Sequence, residues 1–528
     1  MILLKRMNFT FIAKLVPVLI LAVMIVGCSS DTSSGKNPTN SGQASKSEEG
    51  KPKKGGEVTL AYQSDSTNYD PILGSSGSDH PLLWPIYDTL ISFTKELEPK
   101  PGLAESWEFT DDKKTLILHL REGVTFHDGT AFDAEAVKFN IERVNSDKSV
   151  VSDLKNIDSV EVTDNKTVKL NLKQPDSSLL LALSDRGGMM VSPAAVKEYG
   201  DDFPLHPTGA GPFKRVKHIP NGEVVFEAYE DYWQEGKPYL DKMTIKVMPD
   251  ENTRINALKS GEIDYADNIS PGNVQNLKTD SNIVLKDVLP LRFKMMFLNQ
   301  SMPPFDNKNV RLAIQYGINR EGINKGINFG QGEPANNIFP KEYWAGNPEM
   351  KIEYNPEKAK QLVKDSGLKD ISFTMINFPI ADYAKGAEAV KSQLKEIGIN
   401  VDLQPMEVTK GTTSYFAEKT APAFFTSWTG RPDPQMTTRL IFSANSYLNP
   451  GKYSTPEIES LISEAASSYD QKERAKLYKE ISKKALLEEA IAIPIVYDRM
   501  TSAMNKKVKG FEPNMMGKPV FSTIWMGE

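Results

Sequence analysis

The sequence predicts an α/β protein of two or three domains that works outside the cytoplasm. Three observations carry this: one apolar segment near the N-terminus, a length too great for a single core, and strand–helix–strand alternation in the second half. The apolar segment comes first. Lys5, Arg6 and Lys14 flank a run from Leu15 to Val26 made almost entirely of Leu, Val, Ile, Ala and Met. A basic start, a short apolar stretch and a small residue before the cut make a secretory signal peptide over residues 1–27. The run is short for a bilayer span, which takes about 20 residues.

Ile25-Val26-Gly27-Cys28 resembles a lipobox, the site where bacterial lipoproteins are acylated on cysteine and then cleaved. Cys28 is the only cysteine among 528 residues, so acylation there leaves no thiol for a disulfide and the fold must rest on its cores. Two acyl chains, at about 0.8 kcal/mol per buried methylene, anchor a protein stably. Removal of the signal takes the net charge from −6 to about −9. A mildly acidic extracytoplasmic chain argues against nucleic acid as a partner, since phosphate binding needs a concentrated basic face. Residues 28–54 follow as an acylated cysteine and a polar, disordered tether.

The folded part is expected from residue 55. Val58, Leu60 and Tyr62 alternate as a strand, and a polar loop holding Ser66, Asn68 and Tyr69 ends at Pro71. Leu82, Leu83, Ile86, Tyr87 and Leu90 have helical spacing. A hairpin joins 107–109 to 115–120, and Asp128-Gly129 marks a turn. Asp133 reads as the N-cap of a helix with Val137, Ile141 and Val144 inward. A second hairpin turns over Asp164-Asn165. Ile245 to Met248 is a strand, and Asp250 caps a helix that Gly261 stops. Met295-Met296 reads as core filling. Asn355-Pro356 open a helix stopped by Gly367, and 371–376 is a strand. Ala387, Val390, Leu394 and Ile397 then step along a helix ended by Gly398, before a strand at 399–404. That order is a βαβ unit in a partly parallel sheet. Helices after Thr455-Pro456 and Asp470 lead into an apolar strand at 490–497.

Several stretches together resemble one family. They are Asp70-Pro71, Pro101-Gly102-Leu103-Ala104-Glu105-Ser106-Trp107, Arg121-Glu122-Gly123-Val124-Thr125-Phe126-His127-Asp128-Gly129 and Pro207-Thr208-Gly209-Ala210-Gly211-Pro212-Phe213. Asp231-Tyr232-Trp233, Leu258-Lys259-Ser260-Gly261-Glu262-Ile263-Asp264 and Asn309-Val310-Arg311-Leu312-Ala313-Ile314 continue it. The family is the extracellular solute-binding proteins, family 5, which serve peptide, nickel and glutathione ABC importers. The resemblance implies a two-lobed periplasmic-binding-protein (Venus flytrap) fold. Lobe I would span 55–290, with an extra subdomain about 76–205. Lobe II would span 291–496, and 497–528 would return to lobe I, giving a hinge of two crossings. It also implies a monomer without cofactor, anchored by lipid to the outer face of the cell membrane. Its partners would be a peptide or peptide-like solute and the permease and ATPase subunits of an importer. Glutathione, a nickel chelate or another anionic small solute is the alternative on the same scaffold, and a non-transport signalling lipoprotein is a further one.

Two motifs of an enzyme are missing from the sequence, while paired carboxylates occur in any chain of this length. The five histidines include no pair at metal-ligand spacing, and Gly74-Ser75-Ser76-Gly77 is one residue short of a nucleophile elbow and reads as a turn. Candidate binding residues gather instead in Phe424-Phe425-Thr426-Ser427-Trp428-Thr429-Gly430-Arg431-Pro432-Asp433-Pro434, a strand running into a Gly/Pro-punctuated loop. Trp428 offers a flat wall, and Thr429 and Gly430 let a solute approach the backbone. In the family's peptide binders this loop supplies an aspartate for the peptide ammonium. Here Arg431 stands at the matching position, with Asp433 two residues on, placed to meet an ammonium or to pair with Arg431. An arginine presents a planar fork to a carboxylate or phosphate. Dipeptide binders also carry an arginine after the strand at 371–376. This chain has none there, which leaves Tyr383 or Lys385 as substitutes. Ser66, Asn68 and Tyr69 are candidates for the opposite wall.

Overall fold

The computed structural model describes residues 50–74 and 79–528; the expected signal segment, Cys28, the expected tether up to residue 49 and residues 75–78 lie outside them. Two large sheets organise the described chain. The first has seven strands in the order Ile283–Val288, Met500–Asn505, Tyr265–Ala266, Glu57–Tyr62, Lys242–Val247, Glu223–Ala228 and Phe213–Ile219. Glu57–Tyr62 runs parallel to both of its neighbours. Its alternation has the expected effect: Val58 and Leu60 face one core and Ala61 the other.

The second sheet has six strands, Glu333–Pro334, Ala492–Tyr497, Phe293–Leu298, Ala423–Trp428, Ser372–Asn377 and Asn400–Pro405. Ser372–Asn377 and Asn400–Pro405 pair in parallel across the helix Ala381–Glu396, the βαβ unit read from the sequence. Phe293–Leu298 is buried at every position because cores lie on both faces. Met295 faces one and Met296 the other, both fully buried.

A four-stranded antiparallel sheet, Ala104–Phe109, Thr115–Leu120, Thr167–Leu172 and Ile157–Asp164, forms a separate layer beside the first sheet. The helix Ala134–Val144 packs Val137 and Ile141 against its Leu116, Leu118 and Leu170. Asp133 caps that helix by accepting a hydrogen bond from the Ala136 N–H at 2.9 Å. The helical spacing at 82–90 has a shorter outcome than expected. The helix covers only His80–Leu83, because Pro85 has no N–H to continue it. Turns bonded to the Leu83 carbonyl carry Ile86 and Tyr87 into the same core.

The chain passes from the first sheet to the second between Val288 and Phe293, and back between Tyr497 and Met500. Charge is concentrated at these crossings. Lys294, with 3% of its side chain exposed, pairs with Asp498 and, at 3.0 Å, with Asp382. Arg499 reaches Asp287 at 2.7 Å and Glu333 at 3.3 Å. The small sheet and the loop that follows it also touch the second lobe directly: Phe109 of the sheet meets Tyr469 edge-on at 4.8 Å, and Ser177 N–H of the loop donates to the Ala466 carbonyl at 2.8 Å. Among the described residues no helix is long and apolar enough to cross a membrane.

Candidate functional site

A cavity of about 250 Å3 lies where the two lobes meet. One side comes from Gly74, His80, the stretch 150–153 and Asp185-Arg186; the other comes from Thr429, Gly430, Arg431 and Tyr447; residues 516–518 close one end. Five of these groups carry formal charge at neutral pH, three cations (Arg186, Arg431, Lys518) and two acids (Asp153, Asp185).

Most of the charge is matched inside lobe I. Asp185 Oδ1 receives Lys518 Nζ at 2.5 Å and lies 3.2 Å from His80 Nε2. Burial alone would raise the Asp185 carboxyl, but Lys518 and His80 hold it well below the usual carboxylate range. Burial, with Lys518 acting in the same direction, pushes His80 down, so its ring is neutral at pH 7. Arg186 donates to the Gly74 carbonyl at 2.6 Å and to Asp79 at 3.2 Å. Asp79 is in turn gripped by the loop at 66–68, through Thr67 N–H at 2.7 Å and Thr67 O–H at 2.8 Å.

Two charges are left without such a match. Arg431 donates from Nη1 to the Gly430 carbonyl at 3.0 Å and to Thr429 Oγ1 at 3.4 Å, while its Nε has no partner among the described residues. Asp153, on the lobe I side, is in no ion pair among the described residues; burial pushes its carboxyl up, and Arg431 is the largest pull the other way. One basic group from lobe II and one acid from lobe I therefore share the cavity, and neither is neutralised by a contact.

The structure sorts the residues singled out from the sequence. Thr429, Gly430 and Arg431 line the cavity, as their place after a strand end suggests. Gly430 has φ +83°, and a Cβ there would meet Leu291 Cβ at 2.8 Å, so the loop needs glycine at this point. Trp428 is not a wall. It is 4% exposed in the lobe II core, backing Arg431 with 5.5 Å between ring centroid and guanidinium. Asp433 meets neither Arg431 nor the cavity. It is 1% exposed, pairs with Arg474 at 2.6 Å, and caps the helix Pro434–Phe442 through the Gln435 N–H at 2.8 Å.

Tyr69 is likewise placed in the lobe I core. Its O–H donates to Asp65 at 3.2 Å, and the Arg215 guanidinium lies 4.3 Å from its ring centroid. Asn68 turns its side chain onto the Asp70 N–H at 2.8 Å and Ser66 bonds the Asn68 carbonyl at 2.7 Å, so these two shape the loop that holds Asp79. Tyr383 bonds Ser427 at 3.0 Å on the lobe II side and does not line the cavity. Asp153, Asp185, Arg186 and Lys518 were not anticipated. The one local signal among them is the Asp185-Arg186-Gly187-Gly188 turn, where Asp185 accepts from the Arg186 N–H at 2.7 Å. Among the described residues no cluster of His, Cys, Asp or Glu could hold a metal ion.

Comparison with known proteins agrees with this architecture. Residues 98–449 match the family described as bacterial extracellular solute-binding proteins, family 5. The glutathione-binding protein GsiB of Salmonella paratyphi A is 30% identical over 472 residues, covering 86% of this chain and 91% of that protein. Among solved structures, the ABC transporter-associated periplasmic binding protein DppA from Helicobacter pylori, in complex with the peptide STSA, superposes with a TM-score of 0.81 at 26% identity, covering 90% of this chain and 99% of that one. The oligopeptide-binding protein AppA from Bacillus subtilis, in complex with a nonapeptide, gives 0.80 at 25% identity, covering 90% and 100%. With two sheets joined by two crossings, and a charged cavity between them, the chain belongs to the bacterial extracellular solute-binding proteins of family 5, which bind solutes and are not enzymes.

Proposed function

We propose that this protein is the lipid-anchored receptor of an ABC importer and that it closes on a short zwitterionic peptide or peptide-like solute. The solute's carboxylate pairs with Arg431 and its ammonium with Asp153. The observation that carries this reading is the pair of unmatched, opposite charges contributed by different lobes. A buried charge without a partner is costly, and a ligand favours the closed state only to the extent that it touches both lobes. A zwitterion meets both conditions at once.

Size supports a solute of a few residues. A cavity of about 250 Å3 falls just below the usual range of ligand sites, which run roughly 300–1,000 Å3. AppA's nonapeptide is far longer. Glutathione, the ligand named for GsiB, is a second reading that one observation favours: three cations line the cavity against two acids, which suits a solute with one net negative charge. The receptor hands the solute, chemically unchanged, to a permease driven by an ATPase. The acyl chains on Cys28 hold it at the outer face of the cell membrane as a monomer.

Native mass spectrometry of the purified protein, with the co-purifying solute identified, tests the solute class. Calorimetry with glutathione and with trialanine then tests the contact. Arg431→Ala should weaken binding by about 1.5–3 kcal/mol, the scale of a lost charged hydrogen bond, and unchanged affinity would remove Arg431 from the site. Growth with a palmitate analogue should label the protein, and Cys28→Ser should lose the label. A label that persists in Cys28→Ser, or no label at all, would overturn the anchor.

A further inference from the structure

A second cavity, of about 360 Å3, lies wholly within lobe I and is larger than the one between the lobes. Trp84, Phe93, Tyr232, Trp233, Val520 and Phe521 supply its apolar walls. The rings are arranged rather than loosely gathered. Trp84 and Phe93 lie 6.4 Å apart centroid to centroid, and Tyr232 and Trp233 lie 5.8 Å apart. Asp88 fixes the second pair, its Oδ2 accepting from Tyr232 O–H at 2.9 Å and Trp233 Nε1–H at 2.5 Å. Arg121 stacks on Trp233 with its guanidinium 4.4 Å from the ring centroid.

Two ammonium groups also line this cavity. Lys237 is held by Gln234 Oε1 at 3.0 Å, and neither it nor Lys100 is in an ion pair with an acid among the described residues. Burial, and then the charge of Lys237, pushes Lys100 down. Asp88, the one acid lining this cavity among the described residues, is mostly ionised at neutral pH and offsets part of the charge of the two lysines. Its carboxylate is engaged by Tyr232 and Trp233, and burial pushes its pKa up to about 6.

We propose that this lobe I cavity is a second ligand site, which takes a planar aromatic carboxylate with its ring between the aromatic walls and its anionic group on Lys100 and Lys237. Flat rings gain from offset and edge contacts with Trp, Tyr and Phe, and two unpaired cations gain from one shared anion. The site is separate from the cavity between the lobes. The Trp84 ring and the segment 516–523 divide the two, with Gly517 and Lys518 lining one and residues 519–523 lining the other. Lys518 Nζ sits 5.6 Å from the Trp84 ring centroid on the dividing wall.

The test is calorimetry on the purified full-length protein, with indole-3-acetate as the aromatic carboxylate and indole-3-ethanol as its uncharged counterpart. Saturable binding of one indole-3-acetate is expected, at least tenfold tighter than indole-3-ethanol. Lys237→Met and Lys100→Met should each weaken indole-3-acetate at least threefold, with little effect on indole-3-ethanol or on the solute of the inter-lobe cavity. Arg431→Ala should leave indole-3-acetate binding intact. Three results would overturn the proposal: no saturable binding at millimolar probe, equal binding in the double lysine variant, or loss of binding in Arg431→Ala, which would put the probe between the lobes.

Discussion

Asp153→Asn separates the proposed zwitterion site from a merely structural acid, because its two effects have opposite signs. The substitution keeps size and one acceptor but removes the charge. With solute bound, it deletes a charged hydrogen bond worth about 1.5–3 kcal/mol, so the dissociation constant should rise roughly tenfold to 150-fold. In the empty protein burial disfavours the Asp153 carboxylate and Asp185 adds to that, while the fields of Arg431, then Arg439 and Lys518, oppose it. Removing an unpaired buried charge should therefore leave the melting temperature of the empty protein level or higher. The stabilisation added by solute should shrink. The pH dependence follows from the raised carboxyl. Relative to the unfolded chain, the folded state holds this proton more tightly, so the penalty is present above the raised pKa and disappears as pH falls through it. Ammonium binding needs the ionised form. Affinity should therefore fall, on acidification, at a higher pH than for an exposed aspartate, and the Asn variant should lose that dependence. Calorimetry of glutathione and trialanine at pH 7 and pH 5, with thermal melts of empty and loaded protein, measures each part. An Asn variant with unchanged affinity, or one whose empty form is clearly destabilised while binding persists, would refute the reasoning.

Asp433→Ala should lower unfolding free energy by about 3–5 kcal/mol, since it strands the Arg474 guanidinium, which is 2.6 Å from Asp433 in the lobe II core; urea melts at native-like stability would contradict the buried pair. Gly430→Ala should cost about 1–3 kcal/mol from the positive φ and weaken solute binding as well, because its Cβ collides with Leu291 and drags the Arg431 loop. Normal melting and normal affinity together would show that the loop yields freely.

Local signals carried much of the fold. The caps at Asp133 and Asp250, the left-handed stop at Gly261 (φ +77°) and the parallel pair around Ala381–Glu396 depend on neighbours a few residues away, and each is where its residues indicate. The site was legible only where it too is local, in Thr429, Gly430 and Arg431 at a strand end. Asp433 was misread because one short stretch offers two readings: an Asp before Pro434 suits a ligand, but it also begins a helix. The partner that decides between them, Arg474, lies 41 residues away on another helix. Trp428 followed burial, since Ala423–Trp428 is an interior strand. Asp153, Arg186 and Lys518 are isolated charges on three distant segments. No periodicity brings them together; only the packing of lobes does.

The strand Met500–Asn505 sits inside the seven-stranded sheet, between Ile283–Val288 and Tyr265–Ala266, and residues 516–518 close the cavity between the lobes. A chain emerging N-terminus first consequently has neither the complete seven-stranded sheet nor the closed cavity between the lobes until residues 500–518 have come out. Export and capture are thereby put in sequence by topology. A molecule cut short of residue 500 lacks an interior strand of the first sheet and one end of that cavity together.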